Sequence, residues 1–273
     1  MTISIQQETA RTRASALQRR VVSTELGLVS VRVQRATGSG LGRGFPAGGF
    51  AARSAAEVYL HGAAGSWTTF QPLLSKAPDT DRVLIDLPGW GESTAGVRPE
   101  ELSVDAMGRA VVEILDSLGY QQWNLVGHSM GGFLALHLAA GWPERAASVA
   151  AISATTFAVS EAARRPLRSL SRFPAFVGML LTMRSMAAFG TSGSKLIRAV
   201  GATPVMGLLM SPFFTGPAAV PGHVVRGLGL DARPASFAAA VRAAAHYDFG
   251  QWRAIRCPVV ATRGGQRCVH APV

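Results

Sequence analysis

Short apolar runs alternate with amphipathic stretches over the first 156 residues of the chain. The apolar runs predict four buried strands, at 57–60, 82–85, 123–126 and 148–152. Alternating apolar and polar residues over 21–35 predict a hairpin that turns near Gly27. Helical spacing between the strands predicts helices that begin after the capping residues Ser66 and Ser103. Strands that alternate with helices imply an α/β fold, with a mostly parallel, doubly wound sheet covered on both faces.

The alternation stops after residue 156. Apolar pieces rich in Met and Phe then follow at helical spacing, and they predict an inserted helical cap. A predicted helix over 236–246 and a strand over 257–262 resume the α/β pattern. The Gly-, Ala- and Arg-rich stretch 36–56 has no period and is predicted to be a flexible surface loop. The predicted segments are a disordered arm at 1–20, an α/β core at 21–156, a cap at 157–234 and an incomplete part of the core at 235–273.

Ser129 lies in the sequence Gly127-His128-Ser129-Met130-Gly131, between an apolar strand and a run of helix-forming residues. The pattern G-x-S-x-G in a strand–turn–helix context is typical of a nucleophile elbow. Glycines on both sides of the serine keep Cβ atoms away from a crowded turn. Backbone N–H groups at the start of the helix can hold a developing oxyanion. The sequence therefore predicts that Ser129 is a nucleophile.

The formal net charge of +11 comes almost wholly from arginine, since Lys76 and Lys195 are the only lysines. The arginines are scattered, without zinc-ligand spacing or an aromatic RNA-binding signature, which argues against nucleic acid as a partner. The cysteines, Cys257 and Cys268, form no disulfide framework, and residues 1–20 lack the apolar run of a secretory signal, so a cytoplasmic location is expected. The uncharged stretch 199–225 could span a bilayer by length, but its four prolines argue against a membrane-spanning helix.

Three motifs follow one another in the chain: His61-Gly62, Asp86-Leu87-Pro88-Gly89-Trp90-Gly91-Glu92-Ser93, and Gly127-His128-Ser129-Met130-Gly131-Gly132. With these motifs, the sequence from about Val21 to Val273 resembles the α/β-hydrolase superfamily. The resemblance is greatest to the cap-bearing branch, which includes esterases, carbon–carbon bond hydrolases, haloperoxidase-like enzymes and epoxide hydrolases. A serine at the elbow argues against the epoxide-hydrolase and dehalogenase members, because those use an aspartate there.

The resemblance implies a role for each motif residue. Ser129 matches the nucleophile, and the N–H groups of Ala63 and Met130 match the two donors of the oxyanion hole. Asp86 has no catalytic counterpart and is expected to accept hydrogen bonds from loop N–H groups. The other motif residues are expected to support the turns: His61, Gly62, Gly127, His128 and Gly131. No cofactor and no metal are expected.

The family's catalytic acid and histidine have no match in this sequence. The family places its acid in the turn after strand 258–262, where this chain has Arg267, and Arg cannot accept a bond from an imidazole. The family's histidine follows one more strand, so the chain is expected to be truncated before the last strand and helix. Of the histidines present, His246 is the best candidate base and His270 a weaker one. The expectation is that neither reaches Ser129.

Two functions from different classes stay open. The first is a serine hydrolase of a small lipophilic ester or related acyl substrate, impaired by loss of its acid and base, because a serine without a base is a weak nucleophile. The second is a catalytically inactive α/β-hydrolase-like binding protein. A basic nucleic-acid-associated protein is a third possibility that the motifs do not support. The sequence leaves the oligomeric state open.

Overall fold

The computed structural model describes residues 17–36, 53–74, 76–214 and 216–262. Within these residues seven strands form one sheet, in the order β1-β2-β4-β3-β5-β6-β7. The strands are β1 Gln18–Thr24, β2 Gly27–Gln34, β3 Arg53–Leu60, β4 Arg82–Ile85, β5 Tyr120–His128, β6 Ala146–Ile152 and β7 Val259–Thr262. The hairpin β1–β2 pairs antiparallel with the rest of the sheet, and the other five strands are parallel to one another. The predicted α/β fold with a mostly parallel sheet is confirmed.

Ten α-helices accompany these strands in the described part of the chain. They are α1 Gln71–Leu74, α2 Val104–Ser117, α3 Met130–Gly141, α4 Phe157–Arg164, α5 Pro166–Ser169, α6 Pro174–Ala188, α7 Gly190–Gly201, α8 Val205–Met210, α9 Gly222–Leu230 and α10 Pro234–Ala245. Short 3-10 helices lie at Trp67–Phe70, Pro99–Glu101, Ser211–Phe213, Pro217–Ala219 and Phe249–Ala254. Helix α2 begins as the sequence predicts, because the hydroxyl of Ser103 accepts the N–H of Ala106 at 3.0 Å.

The main apolar core lies between the sheet and helices α2 and α3. Its largest fully buried side chains include Trp90, Trp123 and Tyr120. Every residue of α3 from Met130 to Ala140 is buried, because this helix packs against the strands on both sides of β5. A helix that is apolar all round is stable only in such a position. Helix α3 is therefore rigidly held directly behind Ser129.

The structure corrects three local predictions. Strand β1 begins at Gln18, inside the predicted arm, because Gln18 pairs with Val33 of β2. Strand β3 begins at Arg53, inside the predicted loop, where it pairs with β5. The hydroxyl of Ser66 does not cap the following turn, since it bonds to the Thr68 hydroxyl at 2.8 Å instead. The remaining parts of the predicted arm and loop, 1–16 and 37–52, lie outside the described residues.

Helices α4 to α9 form the predicted helical insertion between β6 and α10. Helices α4 and α6 share a second apolar cluster with α10, in which Phe176 and Leu180 of α6 pack with Phe237 and Val241. No single helix in the described ranges is long and apolar enough to cross a membrane. Helices α7 and α8 with the turn that follows pass that test only as a pair, which is bent by 96°. The bend lies between Gly201 and Val205, where Pro204 directly precedes α8.

Candidate active site

Ser129 occupies a strained turn between β5 and α3, with φ 54° and ψ −117°. A non-glycine residue keeps such a conformation only where its surroundings fix it. Here the Ser129 N–H donates to the carbonyl of Ile152 at 3.0 Å. The Ser129 carbonyl accepts three N–H groups, from Gly132 at 3.0 Å, Phe133 at 3.2 Å and Thr155 at 3.1 Å. Four backbone hydrogen bonds therefore hold the serine at the carboxyl edge of the sheet.

The glycines around Ser129 are required by close backbone contacts. A Cβ atom at Gly127 would overlap the carbonyl of Gly131, and a Cβ atom at Gly131 would overlap the carbonyl of Leu60. A Cβ atom at Gly62 would lie 3.0 Å from the Cβ of Ser129. The loop after β3 therefore passes directly beside the serine, and a side chain at Gly62 would crowd it.

Ala63 and Met130 line the same cavity as Ser129. The indole N–H of Trp90 donates to the Ala63 carbonyl at 3.0 Å and so fixes the loop that carries Ala63. Met130 is the first residue of α3, where helix N–H groups are unpaired and carry partial positive charge. Ala63 and Met130, the two residues that the sequence predicts as oxyanion donors, thus line one cavity together with Ser129.

His61 supports the loop between β3 and the serine. Its Nε2 accepts the N–H of Leu87 at 2.9 Å, and its Nδ1 donates to the carbonyl of Gly62 at 2.7 Å. Complete burial lowers the pKa of His61 to about 4, which keeps the ring neutral near pH 7. Both ring nitrogens are therefore occupied by backbone groups, and His61 is not available as a base.

Asp86 follows β4 and binds the backbone of two loops. Its Oδ1 accepts the N–H of Trp67 at 2.7 Å, and its Oδ2 accepts the N–H of Glu92 at 3.0 Å. Burial raises the pKa of Asp86, and the two N–H donors oppose that rise. A Cβ atom at Gly91 would overlap this carboxylate, so the glycine lets the loop close around it. Asp86 thus joins the loops on either side of the candidate site.

Ser129 opens into an apolar cavity of about 370 Å³ between the sheet and the helical insertion. The insertion and α10 supply most of its apolar lining: Val159, Phe176, Met179, Met210, Phe213, Phe214, Leu228, Phe237 and Val241. Among the described residues, no Asp, Glu, Lys or Arg side chain lines it. A neutral, apolar molecule suits such a cavity, whereas a charged one would be desolvated without a partner.

His246, the best candidate base in the sequence but one expected not to reach Ser129, is not among the residues that line the cavity. His246 ends α10 at the solvent side, and its Nδ1 donates to the Arg242 carbonyl at 2.9 Å. His137 is buried in α3, where its ring contacts the Tyr247 hydroxyl at 3.1 Å. Of the described histidines, only His128, the residue before Ser129, lines the cavity. The other expected positions, Arg267 and His270, lie outside the described residues.

Comparison with known proteins agrees with the observed fold. Residues 58–177 match the family model of the alpha/beta hydrolase fold. The solved structure of E-2-(acetamidomethylene)succinate hydrolase superposes with a TM-score of 0.60 at 18% identity, over 93% of this chain and 84% of that one. The chain therefore has the α/β-hydrolase fold.

Two curated relatives of this chain match over shorter stretches. Epoxide hydrolase 4 of Mus musculus is 36% identical over 88 residues, which is 32% of this chain and 24% of that protein. A 2-hydroxy-6-oxononadienedioate/2-hydroxy-6-oxononatrienedioate hydrolase of Paraburkholderia phymatum is 37% identical over 93 residues, 32% of each chain. The matched stretches span only a quarter to a third of these relatives.

Sequence reasoning missed polar residues that line the cavity, among them Ser153 and Thr155. Ser153 directly follows β6 and has φ 45°, the second positive-φ residue other than glycine in the described chain. Its N–H donates to the Thr262 carbonyl at 2.8 Å, while Thr155 bonds to the Ser129 backbone. The available signal was their position, because side chains at the carboxyl ends of parallel strands meet at one edge of the sheet.

Proposed function

We propose that this chain is a serine hydrolase that acts on a neutral, apolar carboxylic ester. The observation that carries the proposal is Ser129 in a strained turn, held by four backbone hydrogen bonds, at an apolar cavity. The Ser129 oxygen bonds to the ester carbonyl carbon while its proton passes to a water molecule, and the carbonyl π electrons move onto the carbonyl oxygen, which becomes an oxyanion. The N–H groups of Ala63 and Met130 are the proposed donors to that oxyanion. The alcohol then departs with a proton, and water hydrolyses the acyl-enzyme.

The choice of substrate rests on the cavity. The name of the Paraburkholderia phymatum relative denotes a dicarboxylate substrate, which needs cationic partners when it is buried. The described lining of this cavity offers none. Opening of an epoxide, the activity named for the mouse relative, is not proposed here, because Ser129 stands where the epoxide-hydrolase members carry an aspartate. A neutral ester fits both the serine and the lining.

Slow turnover is part of the proposal. Serine attack needs a proton acceptor within about 2.6–3.2 Å of the hydroxyl. His61 is occupied by backbone groups, and His246 is turned to solvent. Loss of a triad member typically leaves about 10³–10⁴-fold catalysis over water. The same observation supports the second candidate, an inactive binding protein that uses the cavity without chemistry.

Labelling with a fluorophosphonate probe tests the proposal. We expect the purified chain to be labelled, the Ser129→Ala variant to lose the label and the Ser153→Ala variant to keep it. Ser153 is a matched control because it also lines the cavity and also has a positive φ. Labelling that survives Ser129→Ala would contradict the assignment of the nucleophile.

The binding-protein candidate predicts a different pair of results. The chain would resist the probe at all serines, yet it would bind an environment-sensitive apolar dye in the cavity. Replacing Ala240, a small buried residue of the cavity wall, with Phe would then weaken dye binding. Nitrophenyl-ester turnover that is lost in Ser129→Ala would exclude this candidate and support the hydrolase.

A further inference from the structure

Helices α7, α8 and α9 bury very little of their own surface. Their buried residues are three glycines and Met206. A Cβ atom at Gly201 would overlap the backbone of Gly229, so α7 and α9 approach closely through glycine. Several large apolar side chains are exposed instead: Leu196 of α7 is 55% exposed, Leu208 of α8 74%, and Phe189, directly before α7, 67%. We call the exposed side of α7–α9 the outer cap surface. Because α7, α8 and α9 contact one another, their exposed apolar side chains can form a patch of the kind that marks a site of interaction.

The outer cap surface is also basic. Residues 190–230 carry a net charge of +3. Over α7–α9 there is no acidic residue, and Lys195, Arg198 and Arg226 are all exposed. Leu196 lies between two of these cations on α7. Exposed leucines beside basic side chains on short helices are typical of segments that lie in the headgroup region of a bilayer.

Helix α8 connects this surface to the cavity. Met206 is buried and Met210 lines the cavity, while Leu208 and Leu209 between them are exposed. Phe213 and Phe214, which follow directly, also line the cavity. Helix α8 therefore has one side at the apolar cavity and another side at the outer cap surface. A lipophilic molecule that leaves a bilayer at α8 would meet the cavity lining next.

We propose that the outer cap surface docks on an anionic lipid bilayer. Its cations match the negative headgroups, and its leucines and Phe189 enter the boundary between headgroups and acyl chains. The charge disfavours a second copy of this chain as the occupant, since a two-fold interface would place this basic surface against itself. The inference goes beyond the proposed hydrolysis and does not depend on it, because docking needs no chemistry at Ser129.

Co-sedimentation with vesicles tests the docking. The full chain is mixed with vesicles of phosphatidylcholine alone and with vesicles that also contain phosphatidylglycerol, at low and high salt. We expect at least about tenfold tighter binding to the anionic vesicles at low salt, because each basic residue near the surface adds attraction that salt screens. The double variant Leu208→Ser/Leu209→Ser should lose most of the binding. The double variant Lys195→Glu/Arg198→Glu should lose the preference for anionic vesicles.

The matched control is Lys76→Glu/Arg253→Glu, which changes the net charge equally at exposed positions outside the insertion. It should bind nearly as the unaltered chain does, and far-ultraviolet circular dichroism checks that all variants fold. Equal losses in the two charge variants would overturn the proposal, since net charge rather than this surface would then explain binding. Binding that survives Leu208→Ser/Leu209→Ser would also overturn it. The proposal would also be overturned if the chain formed dimers at high concentration that Leu208→Ser/Leu209→Ser abolished, and did not bind vesicles.

Discussion

The buried imidazole of His61 makes the stability of the fold depend on pH. Its pKa is lowered to about 4, whereas an exposed histidine titrates near 6.5. The unfolded chain therefore binds a proton that the folded chain excludes, and stability is lost as the pH falls from about 6.5 towards 4. The whole shift corresponds to a loss on the order of 3 kcal/mol.

Urea unfolding at neutral pH and near pH 4 measures this loss. The His61→Asn variant should start less stable, because the bonds to Leu87 and Gly62 are weakened. It should nevertheless show a shallower decline towards acid than the unaltered chain. The His223→Asn variant is the control, since His223 is exposed on α9. An acid decline as steep in His61→Asn as in the control would show that other groups cause it.

At the residue scale, the sequence identified those positions whose backbone demands a particular residue type. Gly127 and Gly131 could be predicted because a crowded turn admits only glycine, and that requirement singles out Ser129. The strain at Ser153 could not be predicted, because nothing in its neighbours requires a positive φ. The exposed position of His246 could not be predicted either, because it depends on where α10 ends relative to the rest of the fold.

At the scale of elements, patterns alone located the buried strands. Strand β4 has the bounds that its apolar run predicts, because it lies between two strands and all four residues are buried. Strands β1 and β3 begin earlier than predicted, since pairing with a neighbour extends them into polar or small residues. Pairing partners far away in the chain cannot be deduced from local alternation.

Helix α6 offers a test of how the insertion is attached to the core. Leu180 is fully buried among side chains of α6 and α10, whereas its neighbour Leu181 is 44% exposed. Leu180→Ala should lower the free energy of unfolding by about 2–5 kcal/mol, because it leaves a cavity between the helices. Leu181→Ala should change it by less than about 0.5 kcal/mol. Denaturant unfolding compares the two, and equal effects would mean that α6 does not pack as described.

At the scale of the whole molecule, the sequence predicted the layers of the fold but not which side chains line the cavity. The insertion was predicted from the loss of alternation, and its Met and Phe content indicated an apolar lining. Which side chains face the cavity, and which face solvent, depends on how α7–α9 pack through glycines. That packing separates Met210 from Leu208 on one short helix, although both are large apolar residues.

The two edges of the sheet differ in a way that predicts how the chain associates. Strand β7 is one edge of the described sheet, its four residues are all exposed, and Val260 is 63% exposed. The other edge, β1, carries Arg19 and Arg20 beside Val21. Exposed apolar edges pair with other chains, while charged ones resist pairing. Self-association is therefore expected through β7 rather than β1.

Light scattering over a range of concentrations measures this association. The net charge of +11 keeps copies apart at low salt, so association should increase as salt screens the repulsion. Val260→Lys should reduce association at high salt, because the added charge would have to be buried when two edges pair. Val21→Lys is the matched control, and it should have little effect because its edge already carries arginines. If both variants reduced association equally, total charge would explain the effect. If neither did, association would proceed through another surface, and the leucines of the outer cap surface would be the next residues to replace.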